Sequence, residues 1–164
     1  MQQLLPLGPG MNPVPCNANS APGFARRART NLGTEVNVWV PVPNALPDRQ
    51  YFCHGHSLGT HTNFGYTVFS GADLQAVLRD EWYLVGNVHH AQPGDIVVWR
   101  NVNGNHGLVA DHSARIESPI TAISSDGIDV RLSSKNGTNP LQPSVSLTDL
   151  VKIYGTTFEL CRHR

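Results

Sequence analysis

Apolar and polar positions divide the chain into an unpatterned beginning and a patterned remainder. Residues 1–32 are rich in Pro, Asn, Gly and small side chains with little periodicity, and read as an irregular arm ahead of one folded domain, 33–164. The segment 36–42 alternates and is β-branched, but Pro41 and Pro43 confine it to an edge strand or an extended strap. Pro47-Asp48 marks a turn. The run Cys53-His54-Gly55-His56-Ser57-Leu58-Gly59-Thr60-His61 is dense in glycine and histidine, which permits a short helical turn at most. The clearest helix spans 71–82: Ser70 supplies an N-cap, Asp73 completes a capping-box-like pattern, and Leu74, Val77, Leu78 and Trp82 recur on one face. After a turn at Pro93-Gly94, residues 95–100 form a strand. Asn103-Gly104 signals a hairpin, and a second strand begins at His106 and runs toward Ile116. A short strand at 120–123, a turn at Asp126-Gly127 and a return strand at 128–132 follow. Residues 133–143 read as a polar loop, 147–153 as a short helix capped by Ser146, and 156–160 as a last strand. The pattern is that of an α+β domain, a helical part first and an antiparallel sheet after it.

Length and charge narrow the function. A chain of 164 residues is long enough to bury one core. Twelve basic residues balance twelve acidic ones, so neither nucleic acid nor an anionic membrane is expected as partner. Arg26, Arg27 and Arg29 make the one basic cluster and read as a solvated surface segment. Leu4, Leu5 and Leu7 lack a positive flank and are interrupted by Pro6, Pro9, Pro13 and Pro15, so this stretch is neither a Sec signal nor a membrane-inserting helix. The protein is expected in the cytoplasm or exported by a signal-peptide-independent route. Cys16, Cys53 and Cys161 form no Cys-x-x-Cys pair, which removes zinc ribbons and thioredoxin-type redox sites. Cys16 and Cys161 would pair only in an oxidising compartment that brings the termini together.

A thiol nucleophile needs a base to take its proton and a third group to orient that base. The order of chemical groups here resembles that of papain-like enzymes: Cys53 after a turn, His106 opening a strand, and polar residues Ser133, Ser134 and Asn136 at the end of the return strand. If the His106 strand pairs with the 128–132 strand, either Ser134 or Asn136 lies beside the imidazole, and a register slip of one residue decides between them. His112 lies six residues beyond His106, about 20 Å along an extended strand, and is set aside as an orienter.

The run Gly94-Asp95-Ile96-Val97-Val98-Trp99 followed by His106-Gly107-Leu108-Val109 resembles the Gly-Asp strand and His-opening strand of NlpC-type and CHAP amidases. Tyr51-Phe52-Cys53-His54-Gly55 resembles a variant of their nucleophile segment. Ser133-Ser134-Lys135-Asn136-Gly137 is similar to a pattern in a divergent bacterial branch of the same layout. The resemblance covers about 50–137 and implies a papain-like fold and cofactor-free amide hydrolysis, of a peptidoglycan peptide or a protein. Cys53 would attack, His106 would serve as general base, and backbone N–H groups near Cys53 would bind the oxyanion, with Tyr51 and His54 as oxyanion or substrate-positioning residues. The glycine-broken nucleophile segment gives less dipole assistance than a long helix, leaving His54 or His56 to supply positive charge. An exported antibacterial effector of this kind would meet an inhibitor or immunity protein.

Two other classes fit parts of the sequence. Cys53, His54, His56, His61, His89, His90, His106 and His112 are many soft ligands for one small domain, although no spacing matches a zinc signature and no metal is assigned. A non-catalytic binding module on the same scaffold is the third class.

Overall fold

The computed structural model describes the chain except residues 2, 69, 101–109, 120–121 and 125–126. Strands β1 (Val14–Ala18), β2 (Ala21–Arg29), β3 (Glu35–Pro41) and β4 (Thr67–Val68) form a four-stranded antiparallel sheet in that order. The stretch expected as an irregular arm thus supplies two strands. Asn19 and Ser20, at φ 47° and 61°, make the two-residue turn whose twist suits a hairpin. In β2, Ala21 and Ala28 are buried, Ala21 with Trp39 and Phe52 and Ala28 with Val36 and Val38, whereas the exposed Arg27 and Arg29 pair with Glu35 at 3.1 and 2.9 Å. The arginine cluster therefore belongs to a strand and not to a loop. β3 is also not an edge: β2 and β4 flank it, and Pro41 is tolerated because it ends the strand, opposite Gly23.

Helices α1 (Cys53–Ser57) and α2 (Thr60–Phe64) precede α3 (Gly71–Glu81). α3 is capped as its sequence predicts, Ser70 Oγ accepting from the Asp73 N–H at 3.2 Å and donating to its carboxylate at 2.6 Å.

The second sheet contains β5 (Trp82–Leu84), β6 (Ile96–Arg100) and β7 (Ala110–Ile116). After a separate ribbon of β8 (Ala122–Ser124) and β9 (Gly127–Asp129), it adds β10 (Arg131–Ser134), β11 (Gln142–Ser146) and, beyond helix α4 (Leu147–Tyr154), β12 (Phe158–His163). Its antiparallel order is β11-β10-β7-β6-β12-β5. The predicted return strand is therefore split between β9 and β10, and the predicted polar loop begins and ends in strand. The expectation of a helical N-terminal part on a C-terminal sheet is corrected as well, since three strands precede the first α-helix.

β6 is buried on both faces, which accounts for its unbroken apolar run. Ile96 and Val98 pack with Val36, Val38, Val68, Leu74 and Val77; Val97 and Trp99 pack with Ala114, Ile116, Leu132, Leu147 and Leu150. Each such large side chain contributes about 1.5–3 kcal/mol by leaving water. Asp95, ahead of β6, accepts from Arg162 at 2.7 and 2.8 Å and from the Gln92 N–H at 2.8 Å, so the Gly-Asp pair ties this turn to β12. Cys16 and Cys161 are free thiols on different sheets. Among the described residues no helix is long and apolar enough to cross a membrane.

Candidate active site

Cys53 is the first residue of α1. The preceding Phe52 is extended and donates its N–H to Thr67 Oγ1 at 3.3 Å, tying the helix start to β4. Gly55 is required by the same contact, because a Cβ there would collide with Thr67 Oγ1. Gly59, at φ +70°, separates α1 from α2. A helix this short lends Cys53 little dipole, so activation of the thiol falls to side chains.

Two imidazoles reach the thiol. One is His54, whose Nδ1 lies 3.5 Å from Sγ. The other is His112 of β7, which draws the thiol pKa down and whose Nε2 lies 3.1 Å from Ser134 Oγ in β10. With Nε2 on Ser134, Nδ1 is the nitrogen left for the thiol. Three contacts fix the ring: Ser134, the Tyr154 ring stacked at 3.9 Å and 12°, and Trp99, its cross-strand partner, at 5.8 Å. Burial by itself would push the Cys53 thiol up. The attraction of His54 first, and of His112 after it, more than reverses this and holds it well below the ordinary thiol range.

A second set of polar contacts surrounds the pair. His54 Nδ1 also meets Ser113 Oγ at 2.8 Å, and Ser113 meets Ser57 Oγ at 2.7 Å. His56 Nε2 contacts Ser133 Oγ at 2.6 Å, and Ser133 donates to Glu117. Burial lowers the His56 pKa. Neighbouring residues of two strands thus serve His54, His56 and the thiol: Ser113 and His112 from β7, Ser133 and Ser134 from β10.

Lys135, fully buried, donates to the carbonyls of Asp48, Gly137 and Asn139 at 2.8, 2.8 and 2.5 Å, which clamps the segment after β10 to the turn before α1. Tyr51 lies 5.2 Å below the Lys135 ammonium and stacks on His61 at 4.0 Å.

The residues expected from sequence therefore separate. Cys53, His54 and Ser134 come together. Asn136 is exposed in a turn, its carbonyl accepting from the Asn139 N–H, and has no hydrogen bond to this cluster among the described contacts. His106 lies outside the described residues. The reading that set His112 aside is corrected: it measured His112 against His106, whereas the structure places His112 itself beside the thiol and Ser134. The register carries the missed signal, since Ser134 pairs with Ala114 and is thereby diagonal to His112 on the neighbouring strand. His89 and His90 are exposed in a short turn. Among the described residues no group of three His, Cys, Asp or Glu side chains converges as a metal site.

A cleft of about 210 Å³ opens beside Cys53 and His54. Ala18, Asn19, Trp39, Phe52, Val68 and Ser70 are among its lining residues, none of them charged. It lies on the β3–β4 side of the thiol, while Trp99, Tyr154 and Ser134 gather around His112. Comparison with family models, curated proteins and solved structures finds no match for this chain.

Proposed function

We propose that this chain is a cysteine hydrolase of the papain-like type that cleaves an amide bond, with Cys53 as nucleophile, His112 as general base and Ser134 as the group that orients the base. The observation that carries the reading is the thiol at the start of α1 between two imidazoles that favour its thiolate, His54 with Nδ1 3.5 Å from Sγ and His112 with its Nε2 held by the buried Ser134. The role first expected of His106 passes to His112.

In the proposed reaction His112 Nδ1 takes the Sγ proton and the thiolate attacks the substrate carbonyl. The N–H groups opening α1 face the developing oxyanion. His112 then returns the proton to the leaving amine, whose departure leaves a thioester on Cys53. Water, deprotonated by His112, releases the acid and restores the thiol. Because the amine must leave toward His112, the acyl part occupies the uncharged cleft on the other side. The substrate is an amide in a peptidoglycan peptide or in a protein.

The test is to incubate wild type and Cys53→Ala with peptidoglycan fragments and, separately, with unfolded protein, and to read masses. Hydrolysis products from wild type alone support the proposal, and identical products from both reject it. Near-stoichiometric zinc in the purified protein, bound through Cys53, would also contradict the thiolate assignment.

A further inference from the structure

His112 accounts for the proton that moves during the proposed reaction, but not for the imidazole on the thiol's other flank. We infer that His54 is a second, stationary donor to the Cys53 thiolate, its proton held on Nδ1 by the Ser113–Ser57 hydroxyl pair; this deepens the cysteine-hydrolase reading and rests on it.

The geometry gives one nitrogen two neighbours. His54 Nδ1 is 3.5 Å from Sγ and 2.8 Å from Ser113 Oγ, and Ser113 Oγ is 2.7 Å from Ser57 Oγ. Ser57 and Ser113 are both wholly buried, and His54 is 7% exposed, so their hydrogen-bonding groups are satisfied within the protein. Two proton arrangements satisfy the chain. Either Ser113 donates to a bare Nδ1, or Nδ1–H donates toward Ser113 while Ser113 donates to Ser57. Once Sγ carries negative charge, the first arrangement leaves no donor between nitrogen and sulfur, whereas in the second the single Nδ1–H is shared between Ser113 Oγ at 2.8 Å and Sγ at 3.5 Å as a three-centre hydrogen bond. The second is therefore the arrangement of the thiolate state.

This divides the work between the two imidazoles. His112, whose far nitrogen rests on Ser134, carries the moving proton. His54 keeps its own and is present at every step. The other titratable groups acting on or feeling Cys53 are His56 of α1, Lys135 after β10 and Tyr154 of α4; none of these has a hydrogen bond to Sγ among the described contacts. Ser113 is a positioning residue, since it acts on the thiol only through His54.

The experiment is the pH profile of Cys53 alkylation by iodoacetamide in the full chain, which needs no substrate. Three variants are compared with wild type: His54→Leu, His54→Asn, whose side-chain amide nitrogen reproduces the Nδ1 donor, and Ser113→Ala. In His54→Leu the rate at pH 6 is expected to fall about tenfold or more, because each unit by which the thiol pKa rises removes tenfold of the thiolate. His54→Asn is expected to stay close to wild type, with Ser113→Ala between the two. An unshifted profile in His54→Leu overturns the inference, and so does an Asn variant as impaired as the Leu variant. Circular dichroism and thermal midpoints verify folding. If His54→Leu does not fold, Ser113→Ala decides, an unshifted profile again overturning the inference. A wild-type Cys53 with the profile of an ordinary thiol overturns this inference together with the nucleophile reading. A low wild-type profile that His54→Leu leaves unmoved overturns the inference alone.

Discussion

Cys53 and Cys161 are thiols of one small protein in opposite surroundings. Cys161 lies in β12 between β5 and β6, packed with Ile96, Val98 and Trp82. Burial, reinforced by Glu159, pushes its pKa up to about 12. Cys53 also loses water, yet two imidazoles meet its sulfur and hold it well below the ordinary thiol range. Burial alone disfavours the thiolate; burial beside imidazoles favours it. The two regions differ in what the strands present. β6 and β12 offer Cys161 mainly aliphatic side chains, whereas β7 and β10 offer the Cys53 region His112, Ser113, Ser133 and Ser134.

Substitutions that exchange or dissolve this difference rank by size. Replacing Cys53 with Ala should abolish amide hydrolysis, a loss of at least about 10⁴-fold in kcat, with circular dichroism unchanged. Removing the base in His112→Ala should cost about 10²–10⁴-fold in kcat and flatten the thiol's pH profile, whereas His106→Ala should leave turnover at the wild-type level. A reversed ranking of these two histidines would return the base to the β6–β7 connection. Lys135→Met leaves three backbone carbonyls without their ammonium partner, and should lower unfolding free energy by about 3 kcal/mol in a urea titration. Ser134→Ala removes a single hydrogen bond from the His112 ring and should lower kcat/KM about tenfold. Smallest of all, Cys161→Ala should leave kcat and KM unchanged and register only as a modest drop in thermal midpoint. Any larger effect on turnover would contradict the inert half of the comparison.

What the sequence disclosed followed from local signals. α3 and α4 were legible because Ser70 and Ser146 cap them, Asp73 completing the first cap. β6 was legible because it is apolar on both faces. The brevity of α1 was legible in Gly55 and Gly59, and Ser134 was one of two candidates for the residue beside the imidazole. What stayed hidden depended on pairing across the chain. β2 presents arginines on its outer side and gains its inward face only when Asn19-Ser20 folds β1 onto it. Pro41 suggested an edge because nothing local announces that β4, 26 residues further on by number, pairs with Val38 and Trp39. His112 was passed over because distance along its strand was measured from His106 alone. The proximity that matters, to Cys53 on α1 and Ser134 on β10, is created by tertiary packing.

The central claim concerns a single sulfur, and competitive alkylation tests it most directly. Native protein is exposed to limiting iodoacetamide at pH 6, and the labelling of Cys53, Cys16 and Cys161 is read peptide by peptide. Cys53 is expected to label fast and Cys161 not until the protein is unfolded, with the Cys53 advantage lost in His112→Ala. Labelling of Cys53 no faster than that of Cys16 would contradict the claim.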